Sequence, residues 1–560
     1  PSKDLYIEKD SDINEEIDRM RLAATAALME RRDVVIVATV SCIYGLGSPD
    51  LYRDMRLYLD RGQTVDLHEI RHRLVALQYE RNDVALERGR FRIRGDVLEV
   101  FPAYLEEAYR IEFDFDTIVR IRRLNPVSGA ASEDLEEAVI YPAKHFVMPA
   151  DMIQRAVARI REELEERHRW FLKHGKYLEA ERIKARTEYD LEMLEEIGYC
   201  PGIENYSAPL SGRSPGERPG VLLDYFPRDF LIFIDESHVT LPQIGAMYAG
   251  DRSRKLSLVE YGFRLPCALD NRPLTIEEFE AIVPQTVYVS ATPGETEISR
   301  SRVVAEQVIR PTGLVDPEIL VRPSEGQMED IYTRVRERAS RGERSLIITI
   351  TKKMAEELTD YLSGLGLKVR YIHSEVETIE RVEILTQLRA GAFDVLVGIN
   401  LLREGIDLPE VSFIAILDAD KIGFLRSETS LIQIIGRAAR NAAGLVVMYA
   451  DAMSAAMKKA IAETERRRRM QIAYNEAHGI TPQTIRKKVE DILERHHEEK
   501  KEASLDEISL LKRTHNIVIP AQRKALIREL EKLMLEHARN LEFEQAAVIR
   551  DEIDRLKQTT

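Results

Sequence analysis

The sequence predicts an α/β protein made of two lobes with parallel sheets, an inserted α+β domain, a helical subdomain and a C-terminal helical hairpin. Three observations support this fold class. Apolar runs typical of buried parallel strands, interleaved with helical patterns, occur before residue 54, in 221–308 and in 309–490. Period-two alternation dominates 91–124, as in half-exposed antiparallel strands. Residues 150–197 are helical and rich in paired charges.

Composition and charge limit the class of protein. With 560 residues, 44% hydrophobic and 32% charged, the chain is long enough for about three to five domains. No apolar stretch reaches the roughly 18 residues of a membrane helix, and the three cysteines are isolated, so we expect a cytoplasmic protein with no membrane association. The chain opens at Pro1 without a signal peptide, as a processed protein or a fragment would. A net charge of −15 argues against a globally basic DNA binder but allows a local basic groove.

The first lobe is predicted in two pieces, 1–54 and 221–308. A helical pattern over 14–32 leads into the β-branched run Val34–Val40, which predicts a buried parallel strand. Between the two pieces the chain leaves the lobe and returns to it. We therefore expect the intervening residues to form separate domains.

The α+β insert is predicted over 55–148. Phe91–Phe101 alternates with period two and predicts one half-exposed antiparallel strand, continued by Arg110–Asp116 and Val119–Leu124. The residues alone leave open whether the exposed face of this sheet is only solvated. That face carries three arginines: Arg90, Arg92 and Arg94.

The helical subdomain is predicted over 149–220. A helix pair breaks near His174-Gly175, and a Gly-, Pro- and Ser-rich loop follows over 198–220. Loops of this length often carry function. Tyr206 in this loop and Phe424 in the second lobe are candidate DNA contacts, with ordinary packing as the alternative.

The second lobe is predicted over 309–490, after a hinge at Pro311–Pro323. A charged linker over 491–521 leads to a helical hairpin over 522–560, which is too small to bury much surface alone and is expected to pair with a partner or a second copy. Five strands are predicted in this lobe: Leu346–Ile350, Val369–Ile372, Val395–Val397, Phe413–Leu417 and Val446–Tyr449.

Two adjacent acids, Asp235 and Glu236, follow the apolar run Phe230–Ile234. A parallel strand that ends in two acids places them at the carboxyl edge of its sheet, where such folds bind ligands. In nucleotide hydrolysis the first acid holds Mg²⁺ and the second positions or deprotonates the attacking water. The pair predicts an ATP and Mg²⁺ site with Asp235 as the metal ligand, although two acids also occur at ordinary helix starts.

Two further motifs supply coupling and ligand-approach residues. Ser290 and Thr292 stand at another strand end, where their hydroxyls are expected to bond the acidic motif and, with His238, to relay the nucleotide state. Gly405 allows close approach of a ligand to the backbone, and Asp407 is expected to place a carboxylate in the cleft between the lobes.

The last motif ends in two arginines, Arg437 and Arg440, spaced so that both project from one side of a helix. They are expected to neutralise charge that develops on the γ-phosphate, with Gln433 and Gly436 completing the motif. Four motifs in this order predict an ATP-hydrolysing, helicase-type motor. However, no G-x-x-x-x-G-K-[ST] phosphate loop occurs in the 560 residues, so we expect this chain to hydrolyse ATP poorly or not at all.

Longer stretches carry a resemblance to a known family. They are Asp235–Asp251 (DESHVTLPQIGAMYAGD), Tyr261–Pro273 (YGFRLPCALDNRP), Val289–Gly294 (VSATPG), Val395–Val411 (VLVGINLLREGIDLPEV) and Ser427–Asn441 (SETSLIQIIGRAARN). Through them the sequence resembles the UvrB family, the damage-verifying proteins of bacterial nucleotide excision repair and relatives of superfamily 2 helicases. The resemblance runs along nearly the whole chain, ends in a hairpin like the UVR motif at Leu530–Leu556, and implies that the two lobes are RecA-like.

The resemblance also implies partners. Members of the family use ATP to load onto damaged DNA delivered by UvrA, verify the lesion and recruit UvrC for incision. The 55–148 insert resembles the UvrA-binding domain, which makes Arg92 and Arg94 candidate contacts. The terminal hairpin resembles the element that pairs with UvrC or with a second copy, with Phe543 as a candidate contact.

The sequence departs from the family at its front end. A complete member begins upstream of the position of Pro1, with the phosphate loop and an aromatic-rich hairpin that threads between DNA strands. Two alternatives therefore stay open. One is a non-catalytic adaptor that bridges UvrA and UvrC; the other is a different superfamily 2 translocase, which the terminal hairpin and Tyr261–Pro273 disfavour.

Overall fold

A computed structural model describes residues 15–126, 128–373, 378–399, 407–485, 526–534, 549–550, 552–553 and 556. The chain divides into two compact units, Pro1–Ser301 and Arg302–Thr560. Among the described helices, none is both long enough and apolar enough to cross a membrane.

The first unit contains helices and strands of both lobe and insert. Its helices are α1 Glu15–Glu30, α2 Pro49–Asp54, α3 Leu67–Ala76, α4 Ala150–Lys173, α5 Tyr177–Ile197, α6 Ser207–Leu210, α7 Ser237–Glu260, α8 Ile276–Ile282 and α9 Glu295–Arg300. Its strands are β1 Leu57–Asp60, β2 Glu80–Arg81, β3 Arg90–Arg94, β4 Val97–Phe101, β5 Ala108–Asp114, β6 Thr117–Leu124, β7 Ala131–Leu135, β8 Glu137–Ile140, β9 Leu231–Ile234 and β10 Gln285–Tyr288.

The insert is built on a six-stranded sheet of order β2-β3-β4-β5-β6-β7, antiparallel except for the β2–β3 pair. The prediction of one strand over Phe91–Phe101 is wrong, because Gly95 (φ 60°) and Asp96 turn the chain between β3 and β4. The alternation of inward-facing side chains shifts by one residue across this turn. Phe91 on β3 and Leu98 on β4 both face inward and are fully buried. Gly95 is the signal in the sequence, since glycine adopts positive φ without strain.

The helical subdomain follows the predicted pattern. Helices α4 and α5 are separated at His174–Lys176, which confirms the predicted break. Their facing stripes recur at helical spacing and form one buried cluster. This cluster includes Val157, Ile160 and Leu164 of α4, and Ile183, Leu191 and Leu194 of α5.

The first lobe contributes one parallel pair among the described strands, β9 with β10. The predicted strand Val34–Val40 is wrong: the run has no strand structure, and Val35 and Val37 are 91% and 97% exposed. A strand needs a neighbour to bond its backbone, and this run pairs with none of the described strands. Val34 and Ile36 pack against the buried cluster around Leu22, and Val40 packs against the cluster that contains Ile43.

The second unit holds a parallel sheet of order β11-β16-β15-β12-β14-β13. Its helices are α10 Gln327–Ser340, α11 Lys352–Gly364, α12 Thr378–Ala390, α13 Glu428–Ile435 and α14 Ala455–His478, with a further helical stretch at 526–534. Its strands are β11 Glu318–Arg322, β12 Arg344–Ile348, β13 Val369–Ile372, β14 Val395–Gly398, β15 Val411–Ile416 and β16 Leu445–Tyr449.

All five strands predicted for this lobe are present, but the predicted hinge Pro311–Pro323 is partly wrong. It contains β11, which pairs in parallel with β16 at the sheet edge. Prolines at positions 317 and 323 bracket this strand. Proline is tolerated at the ends of an edge strand because it interrupts only outer backbone bonds.

The segment before β11 is held along α14 by side-chain amides. Arg310 N–H donates to Gln471 Oε1 (2.7 Å), and Gln471 Nε2 donates back to Arg310 O (3.2 Å). Asn475 Nδ2 donates to Gly313 O (2.7 Å). Because Gln471 is only 1% exposed, these bonds satisfy polar groups that would otherwise be buried without a partner.

Candidate functional site

The acidic motif lies at the junction of β9 and α7. Asp235 follows β9 directly, its Oδ1 accepts from Glu236 N–H (3.0 Å), and its carbonyl accepts from the Thr240 hydroxyl (2.8 Å). Glu236 is left-handed, with φ 44° and ψ 49°, and Ser237 opens α7. Long side chains rarely occupy this backbone region, and such strain concentrates at functional sites. Both acids therefore stand at the carboxyl end of a parallel strand.

The Ser-Ala-Thr motif lies beside the acids because β10 pairs with β9. Val289 N–H donates to Ile234 O (2.9 Å), which carries the pairing to the strand ends. Ser290 Oγ lies 2.8 Å from His238 Nδ1, and the same nitrogen lies 3.5 Å from Glu236 Oε2. The structure thus connects Glu236, His238 and Ser290 in one chain of polar contacts.

Thr292 joins this group through the backbone. Its N–H donates to Ser290 Oγ (3.0 Å), and its side chain is buried with the residue 9% exposed. One hydroxyl, that of Ser290, therefore contacts both a histidine of the acidic motif and the turn after β10.

Sequence analysis missed a buried pair under the motif. Ser237 is fully buried, and its hydroxyl donates to Glu297 Oε1 (3.1 Å) on α9, which is 4% exposed. A Cβ added at Gly294 would lie 2.8 Å from Glu297 Oε2, so this glycine leaves room for the carboxylate. The glycine after the Ser-Ala-Thr-Pro run was the available signal.

The arginine motif lies in the second unit, at the end of α13. Arg437 and Arg440 belong to a 3₁₀ helix, Gly436–Arg440, in which side chains three apart eclipse each other. Arg440 Nε forms an ion pair with Asp407 Oδ1 (3.1 Å). This contact joins two of the predicted motifs across the sequence.

The other predicted residues of this motif differ in burial. Arg437 and Gln433 are 9% and 6% exposed, whereas Gly436 is exposed with an ordinary helical φ of −59°. Gly436 is therefore not required for backbone conformation. Gly405 and Phe543 lie outside the described residues.

The two arginines predicted for partner binding have different environments. Arg92 is 16% exposed at its side chain and bonds the carboxylate of Glu99, which also accepts from Arg110 Nε (2.7 Å). Burial alone would raise the pKa of Glu99, but hydrogen bonds from both arginines outweigh it and hold that pKa below its ordinary value. Arg94 is exposed and donates to Asp83 O (3.1 Å). Arg94 is thus the more accessible of the two.

The two candidate DNA contacts also differ. Tyr206 is 5% exposed and its hydroxyl donates to Asp190 Oδ2 (2.8 Å), so it packs in the helical subdomain. Phe424 is 74% exposed. Of the two residues, only Phe424 exposes its ring to solvent.

Comparisons with known proteins place these features in a family. Family models match five stretches: the UvrB interaction domain at 57–146, the UvrB third helical domain at 151–212, the helicase conserved C-terminal domain at 326–442, the Ultra-violet resistance protein B model at 448–490, and the UvrB/uvrC motif at 524–559.

Curated relatives match along the whole chain. The UvrABC system protein B of Treponema denticola is 66% identical over 557 residues, which cover 100% of this chain and 84% of that protein. Its counterpart in Treponema pallidum (strain Nichols) is 62% identical over 559 residues, with 100% and 84% covered. That of Caldanaerobacter subterraneus is 57% identical over 558 residues, with 100% and 83% covered.

Proposed function

The chain belongs to the UvrB family, and from this premise we propose that it acts in nucleotide excision repair, with UvrA and UvrC, on damaged DNA. The observation that carries the proposal is the 66% identity to a UvrABC system protein B over the whole chain. Matches to the UvrB interaction domain and the UvrB/uvrC motif support both partnerships. A purely non-catalytic adaptor is not favoured, because the helicase C-terminal domain and the acidic motif are retained.

Membership of this helicase-like family implies ATP binding. We assign Asp235 to Mg²⁺ and Glu236 to the attacking water. Mg²⁺ usually keeps several waters and binds through one or two carboxylates plus phosphate oxygens. The exposed carboxylate of Asp235 fits such a site, and the described residues contain no group of three or more His, Cys, Asp or Glu side chains that would suggest another metal centre.

We assign Arg437 and Arg440 to the phosphates and Gly405, Asp407 and Gly436 to nucleotide binding. The bond between Asp407 and Arg440 supports this grouping, because it gives the guanidinium a carboxylate that holds it in place until a phosphate competes for it.

We assign His238, Ser290, Thr292 and Gln433 to coupling. His238 Nδ1 lies near the carboxylate of Glu236 and contacts the hydroxyl of Ser290, so a change in charge at Glu236 acts on the imidazole that bonds Ser290. That change then reaches Thr292, which donates to the same hydroxyl.

The partner assignments follow the domain division predicted above. UvrA is assigned to the 55–148 insert through Arg94 and Arg92. UvrC is assigned to the terminal hairpin through Phe543, and the same hairpin is assigned to self-association. Arg94 leads the first assignment because its side chain is exposed. We further propose a cytoplasmic location.

Gel filtration of the purified chain with UvrA, and separately with UvrC, tests the partnerships. Co-elution with each is expected, and failure to bind either would contradict the proposal. Arg94→Glu should abolish co-elution with UvrA only. Arg123→Glu is a matched control, since Arg123 also lies on the insert but beside Glu107 and Glu133.

Calorimetric titration of Mg-ATP tests the nucleotide site. Because the 560 residues contain no phosphate loop, we expect the acidic motif to bind Mg-ATP only weakly and to hydrolyse it slowly. Micromolar binding that is lost in Asp235→Asn would assign ATP to the acidic motif and contradict the expected dependence on a phosphate loop.

A further inference from the structure

Phe115 occupies a turn that its side chain disfavours. It joins β5 to β6 with a φ of 52°, in the left-handed region, and it is 91% exposed. Few non-glycine residues take this conformation, and a bulky aromatic one is an outlier. The ring receives almost no packing from the described residues, and the pairing of β5 with β6 on either side of the loop, Asp114 with Thr117, holds the backbone in this conformation.

Other exposed groups gather at the same end of the insert sheet. The turn between β3 and β4 lies there, because Phe113 N–H at the end of β5 donates to Asp96 O (2.8 Å) in that turn. Strand β2 runs parallel to β3, which brings Val84, 88% exposed, to this end. Arg94 bonds the carbonyl of Asp83, the residue before Val84. We call the group Val84, Arg94, Asp96, Asp114, Phe115 and Asp116 the tip surface.

The charges of the tip surface select among binding partners. Asp114 and Asp116 flank Phe115, Asp96 lies in the neighbouring turn, and all three are exposed. Three carboxylates around an aromatic ring repel a phosphate backbone, so the ring is poorly placed to stack on a nucleic acid base. They suit a protein that presents an apolar pocket with cationic groups at its rim.

We propose that Phe115 is an anchor residue that inserts into an apolar, cation-rimmed pocket of UvrA. This inference rests on the proposed function, which assigns the insert to UvrA. Phe115 extends the contact from Arg94 along the end of the sheet, and both aromatic residues and arginine are enriched in protein interfaces. The strained turn keeps the ring displayed, so little ordering is needed when the partner binds.

Three substitutions at Phe115 distinguish a ring that is exposed for binding from a ring that stabilises the fold. Phe115→Gly removes both strain and ring, Phe115→Asn eases the strain and removes the ring, and Phe115→Tyr keeps both. We expect UvrA affinity to fall at least about tenfold in the Gly and Asn variants and to stay near wild type in the Tyr variant. The variants that lose affinity should not lose thermal stability, and the Gly variant should melt at a temperature no lower than that of wild type. Val75→Ala is the matched control, since Val75 lies on α3 of the same insert and is 54% exposed.

Interferometry with immobilised UvrA gives the affinities, and sedimentation of each variant gives its association state. If the wild-type chain does not bind UvrA, the proposed function fails. If wild type binds and Phe115→Gly binds equally well, this inference fails while the proposed function stands. A fall in the melting temperature of the Gly variant, or a loss of self-association or DNA binding with UvrA affinity unchanged, would likewise overturn the anchor role.

Discussion

The buried carboxylate of Glu99 gives a quantitative test of what stabilises the insert. The Glu99 side chain lies between those of Arg92 and Arg110. It is 4% exposed, and the two arginine side chains are 16% and 28% exposed. Glu99→Ala would leave two guanidiniums close together in a half-buried site without a counter-charge. Breaking a buried pair costs about 3–5 kcal/mol, and because both arginines keep some water we expect a loss of about 3 kcal/mol.

Hydrogen exchange of the amides in β3, β4 and β5 measures this loss locally. A loss of about 3 kcal/mol corresponds to exchange on the order of 10²-fold faster. Arg94→Ala is the control, because the exposed Arg94 should change these rates only slightly. Acid should reproduce the effect: the folded-state pKa of Glu99 lies below its unfolded value, so the stabilisation is present above the unfolded pKa and is lost as the pH falls through the folded one.

A small effect would refute this account. If Glu99→Ala accelerates exchange by less than about fivefold, the three charges behave as a solvent-screened surface group. Replacing all three by apolar residues of similar length provides a second check. That variant should lie close to wild type, since buried ion groups contribute little relative to good apolar packing.

Three further predictions address other parts of the chain. Burial lowers the pKa of His145 from 6.5 to about 3. Between these two pH values only the unfolded chain binds the proton, so the free energy of unfolding in urea titrations should fall by about 1.4 kcal/mol per pH unit over that window, and His145→Gln should flatten the slope. Gly262→Ala would bring a Cβ to 2.5 Å from Glu179 O at φ +70° and should cost about 2–4 kcal/mol by denaturation, whereas Gly212→Ala, at φ +71° with open space around it, should cost only about 1 kcal/mol. Gln471→Ala should release the segment before β11 and speed its proteolysis, and unchanged cleavage would contradict its role in holding that segment.

Buried parallel strands were predictable because both of their faces are apolar. All five strands predicted in the second lobe form. A run such as Phe413–Leu417 is apolar on both faces, so its sequence pattern does not depend on which helix covers it. Val34–Val40 has the same composition and forms no strand, because strand structure also needs a bonded neighbour. β11 was missed because its flanking prolines resemble a hinge.

The candidate site was predictable for those residues that stand directly after a strand in the sequence. Asp235, Glu236 and Ser290 each stand at a strand end, so a parallel pairing alone brings them together. The Ser237–Glu297 bond and the Glu99 group depend on which side chains meet after folding; Gly294 is a local signal for the first, but the sequence does not identify the partners in either group. The left-handed conformation of Phe115 was unpredictable for the opposite reason, since its residue type argues against it.

The left-handed backbone at Glu236 determines which substitutions can be interpreted. A variant profile at this position combines two independent effects, loss of the carboxylate and a change in backbone preference. Glycine would relax the turn while it removes the acid, and a β-branched residue would add strain to the same chemical loss. Glutamine keeps the length and the backbone cost of glutamate, so Glu236→Gln isolates the charge. Tolerance of glycine and rejection of valine at this position would therefore report on the turn rather than on catalysis.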